Sequence, residues 1–60
     1  MDSREMAWRA YATEHGWDGE DMTTEDIAEM AIAEIDTAME YDMDMTDITE
    51  DMMAWADRYR

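Results

Sequence analysis

Sixty residues with eighteen carboxylates, four arginines and no lysine carry a formal charge of −14, which leaves room for one small domain at most. There is no cysteine to form a disulfide or a thiolate metal site, and no apolar run long enough to cross a bilayer or serve as a signal peptide. An anionic surface repels nucleic acid and anionic lipid, so the expected class is a soluble, cytoplasmic domain that faces other proteins.

The predicted fold is all-α, a single domain over residues 1–60 with helices at about 3–14, 24–40 and 46–58. The first helix is capped by Asp2 or Ser3, and Met6, Ala7, Ala10 and Tyr11 share one side with Trp8 flanking them. His15-Gly16 reads as its stop, because glycine accepts the left-handed conformation beyond a helix end. Trp17 to Asp21 then reads as a loop, with Trp17 folded back as a plug or available as a partner anchor.

The second helix carries the strongest periodicity. Thr23 or Thr24 caps it, and Glu25 and Asp26 complement the positive end of its dipole. Ile27, Met30, Ala31, Ile35 and Ala38 form an apolar stripe, widened by Ala28, Ile32 and Met39. Residues 41–45 alternate apolar and acidic, the period of a strand; with no second strand to pair with, they read as an extended linker. The third helix starts near Thr46, with Met45, Ile48, Met52, Trp55, Ala56 and Tyr59 on one stripe. Met30, Met39 and Met52 are expected in the core, whereas Met22, Met43, Met45 and Met53 exceed what so small a core can bury. Met43 and Met53 are therefore candidate anchors for a partner.

Eight residue types are missing, leucine and valine among them, and nine methionines with isoleucine and alanine supply the apolar bulk. One histidine, one serine and no cysteine or lysine leave the nucleophile-and-base arrangements without parts, so no catalytic residue is assigned. Asp42, Asp44 and Thr46 repeat the oxygen spacing of a calcium loop. Asp47 then stands where that loop needs glycine, and Met53 where it needs a bidentate Glu. No metal site and no cofactor are expected.

The carboxylates carry the main signal. Sixteen of the eighteen lie between Arg9 and Arg58, a stretch with no cation. Glu25–Glu29 and Asp36–Glu40 are like-charge pairs at i,i+4, where a Lys or Arg would stabilise a helix by a few tenths of a kcal/mol. Glu25, Asp26, Glu29, Glu34, Asp36, Glu40 and Asp42 would place one charge every ~3.6 Å of helix axis. One strand of B-DNA carries one every ~3.4 Å. Asp44, Asp47, Glu50 and Asp51 extend the acidic surface. Such a surface suits a basic DNA- or RNA-binding protein as partner, held where that partner would hold phosphates.

In size, charge and helical pattern the whole chain resembles the small acidic anti-defence proteins of phages, anti-CRISPR proteins especially, several of which are proposed to be DNA mimics. The resemblance rests on no diagnostic motif and assigns no role to an individual residue. It implies a non-enzymatic inhibitor whose target is a DNA-binding surface on a CRISPR effector subunit. Other readings share parts of the pattern. A halophilic protein is also acid-rich, an antitoxin-like interaction protein is also small and acidic, and a designed reduced-alphabet bundle would also lack common residue types.

Overall fold

A computed structural model describes residues 2–60 as three helices: α1 (Ser3–Glu14), α2 (Thr24–Glu40) and α3 (Glu50–Asp57). Each begins at a side-chain cap. Asp2 accepts from the Arg4 N–H, Thr23 from that of Asp26 and Thr49 from that of Met52. Met22 and Ile48 precede two of these caps, at the position where an apolar residue fixes the angle at which the chain enters the helix. Ile48 is buried, and Met22 packs half-buried against the core.

Every helix touches the other two. Trp8 and Ala12 of α1, Ile27, Ala28, Ala31 and Ile35 of α2, and Met52, Trp55 and Ala56 of α3 form one cluster, closed by Ile48. The alanines let the helix backbones approach while the two indoles fill the volume between them. Trp8 lies at the centre, fully buried, and its Nε1–H donates to the Met52 carbonyl at 2.9 Å.

Four expectations are corrected. The buried side of α1 is the arc of Glu5, Trp8 and Ala12; of the expected side Ala7 and Tyr11 pack half-buried against the core, whereas Ala10 and Met6 are exposed, Met6 at 56 %. An indole removes far more apolar surface from water than Met and Ala together at the margin of a helix, so it takes the centre. Met39 stands 67 % exposed at the margin of the α2 stripe, about 100° around the helix from buried Ala38. Trp17 is exposed, not a plug; its ring stacks on His15, centroids 6.3 Å apart. Finally, α3 starts at Glu50 and not near Thr46. The Asp44 carboxylate takes the Thr46 N–H at 3.1 Å, and the Ile48 N–H closes a turn on the Met45 carbonyl at 3.0 Å. Those local bonds compete with a helix and hand the cap to Thr49.

Two helix ends share one device. After α1, Gly16 takes φ +91°, and the Trp17 and Gly16 N–H groups donate to the carbonyls of Ala12 and Thr13 at 2.9 and 3.2 Å. After α2 the same left-handed position is held by Asp42 at φ +52°, with the Met43 N–H on the Ala38 carbonyl at 2.8 Å. Residues 41–42 are thus the turn that ends α2. No strand forms among the described residues, and 43–45 is an irregular connection.

Candidate functional site

Position on the helix decides which carboxylates act together. At 100° per residue, Glu25, Glu29, Asp36 and Glu40 fall within about 60° of one another on α2, over about 22 Å of axis. All four are exposed, and Asp26 flanks them. They face away from the stripe of Ile27, Ala31, Ile35 and Ala38 that the core buries.

The remaining predicted residues go elsewhere. Glu34 turns toward α1, where it accepts from the Tyr11 hydroxyl at 3.0 Å. Burial first, and then the Glu34 hydrogen bond and charge, push the Tyr11 phenol up to about 12. Asp47 adds to the negative field at Tyr11, and Asp51 to the field at Arg4. Asp42 occupies the turn after α2, and Asp44 is turned onto its own backbone. Glu50 and Asp51 stand exposed in the first turn of α3. The carboxylates are therefore divided among α2, the connection after it and the start of α3 rather than following one another along a single line.

Of the proposed anchors, Trp17 and Met43 are exposed, at 45 % and 57 %, while Met53 is half-buried against the core. No group of three or more His, Asp or Glu side chains converges as a metal shell among the described residues. Ser3 and His15 stand at opposite ends of α1. The His15 Nδ1 lies 2.8 Å from the Tyr11 carbonyl oxygen.

The arginines are the part that sequence reasoning misplaced. Confinement to the chain ends suggested an uninterrupted anionic middle, yet folding brings the ends back. Arg60 reaches Asp36 at 2.7 Å and Asp57 at 2.8 Å, so a cation sits in the middle of the α2 row. This holds the Asp36 carboxyl below its ordinary range. Arg9 is nearly enclosed between α1 and the 18–23 loop. It pairs with buried Glu5 at 3.1 Å and donates to the carbonyls of Gly19 and Met22 at 2.8 and 2.6 Å. Glu5 also accepts from the Thr24 hydroxyl at 3.2 Å, tying α1 to the start of α2. The i,i+4 spacing of Glu5 and Arg9 was the available signal for this clamp.

Arg4 pairs with its own cap residue Asp2 at 2.9 Å, holding that carboxyl down at about 2. Among the described residues Glu25, Asp26, Glu29 and Glu40 have no cationic partner within 4.0 Å. These four unpaired charges over about 22 Å of axis are sparser than one DNA strand, which carries a charge every ~3.4 Å. Density comparable to a duplex requires the other acidic segments as well.

No protein-family model matches this chain, and no curated protein or solved structure is significantly similar to it.

Proposed function

We propose that this chain is a non-enzymatic inhibitor that binds a basic nucleic-acid-binding protein through its anionic surface and keeps nucleic acid out. The target in view is the DNA-binding face of a CRISPR effector complex in the cytoplasm of a bacterial cell. One observation carries the reading: Glu25, Glu29 and Glu40 stand exposed on one face of α2, and among the described residues none of them has a cationic partner within 4.0 Å. Glu25 and Glu29 repel each other at i,i+4, at a cost of a few tenths of a kcal/mol that a single lysine would reverse. A surface of one sign in a domain this small concentrates the field at a basic groove and speeds encounter with it.

The test is competition. A basic DNA-binding protein is titrated with this chain at increasing salt and then challenged with duplex DNA. The expected outcome is a steep fall of affinity with salt, linear when both are plotted as logarithms, and full displacement by DNA. Binding that ignores salt, that DNA does not compete away, or that is equally weak with any polycation would overturn the reading.

A further inference from the structure

Beside the α2 row lies a shallow groove of about 410 Å³ between the 17–22 loop and α2. Its walls are apolar, with Trp17 and Met22 from the loop and Met30 and Ala33 from the helix. Asp26, Glu29 and Glu34 line it too, and no basic residue does. The five α2 residues fall at i, i+3, i+4, i+7 and i+8, so one helix face presents them all. Trp17 is set there by the turn after α1, where its N–H bonds the Ala12 carbonyl at 2.9 Å and its ring stacks on His15. An exposed indole held in place beside carboxylates is a feature that a merely soluble helix does not need.

The geometry points to this groove as a seat for one arginine side chain of the basic partner. This rests on the function proposed above and names where that partner is gripped. The alkyl stem of an arginine covers Met and Ala surface, its planar guanidinium stacks on an indole, and its fork of N–H donors matches a carboxylate. Lysine offers a hydrated point charge to the same field but neither the plane nor the fork. A second copy of this chain is the poorest occupant, since two molecules of charge −14 repel.

Trp8 and Trp55 are 0 % and 2 % exposed while Trp17 is 45 % exposed, so tryptophan quenching by acrylamide reads Trp17. The probes are a short peptide of alternating Arg and Gly, its Lys counterpart, and an uncharged apolar peptide of equal length, at low salt. The Arg peptide is expected to shield Trp17 and to bind more tightly than the Lys peptide. Trp17→Ala should weaken Arg-peptide binding by about twofold to thirtyfold and Lys-peptide binding by less, so that the preference for arginine shrinks. Ala33→Leu, which fills the groove with an aliphatic side chain and spares every carboxylate, should abolish the preference for arginine; circular dichroism checks that both variants stay helical. Equal binding of Arg and Lys peptides, no response of Trp17, or binding of the apolar peptide overturns the arginine seat and leaves the proposed function standing. Binding of neither charged peptide overturns both.

Discussion

The indole N–H of Trp8 and the main-chain carbonyl of Met52 meet at 2.9 Å across a separation of 44 residues, joining the first helix to the last inside the core. Trp8→Phe loses this bond and part of the packed volume, an expected loss of about 2–3 kcal/mol. Trp8→Ala should cost about 3–5 kcal/mol. A domain of this size has little more than that in reserve, so the variant should be unfolded at room temperature. Urea titration followed by circular dichroism reads both.

Arg9 should matter as a clamp for the loop rather than as surface charge. Arg9→Ala strands the buried Glu5 carboxylate and two loop carbonyls, with an expected loss of about 3 kcal/mol or more. Adding Glu5→Gln to Arg9→Ala should recover part of that loss, which a double-mutant cycle measures. Under the same clamp Gly19 has no room: a Cβ there would sit 2.0 Å from the Arg9 carbonyl oxygen. Gly16 has open space and only its φ of +91° to satisfy. Gly19→Ala is therefore expected to destabilise more than Gly16→Ala, whose cost is about 1 kcal/mol.

Alkaline pH should loosen the contact between α1 and α2. The Tyr11 phenol is raised from 10.0 to about 12 in the folded chain, so the folded state holds its proton more tightly than the unfolded one. The stability tied to that difference is complete below pH 10 and falls as pH rises from 10 toward about 12. The urea midpoint plotted against pH should slope downward in that window, and Tyr11→Phe should remove the contribution.

Replacing one acid of each like-charge pair should stabilise the fold and weaken partner binding together. Glu29→Lys puts a cation four residues after Glu25, the favoured order for a helical ion pair, and Glu40→Lys places a cation at the negative end of α2. Each is expected to add about 0.3–1 kcal/mol of stability and to lower affinity for a basic DNA-binding protein. A thermal melt and a binding titration on the same samples check it. Gain of stability with unchanged binding would remove the α2 row from the interface.

Asp42 holds a left-handed turn position that glycine fills more readily, and it puts a negative charge at the negative end of α2. Asp42→Gly is expected to stabilise by up to about 1 kcal/mol, read from the urea midpoint.

Features that depend on near neighbours are legible in the chain alone. The stripe of α2 follows from a 3.6-residue period, its start from Thr23 and its acids, and the end of α1 from Gly16. The excess of one charge is likewise legible residue by residue. Features that depend on distant partners are set only when the helices pack. α1 carries apolar side chains on two sides, and only the cavity between α2 and α3 selects the side with Trp8 over the side with Met6. The strand-like alternation of 41–45 yields to a turn, because backbone groups freed at the end of α2 need partners more than Asp42 needs an unstrained φ. Which carboxylates remain unpaired was also beyond the sequence. Arginines remote along the chain become neighbours on folding: Arg60 joins Asp36, Arg9 closes over Glu5, and the row on α2 keeps Glu25, Glu29 and Glu40. Charge count is a property of the chain, but a charged surface exists only once the ends have been folded onto it.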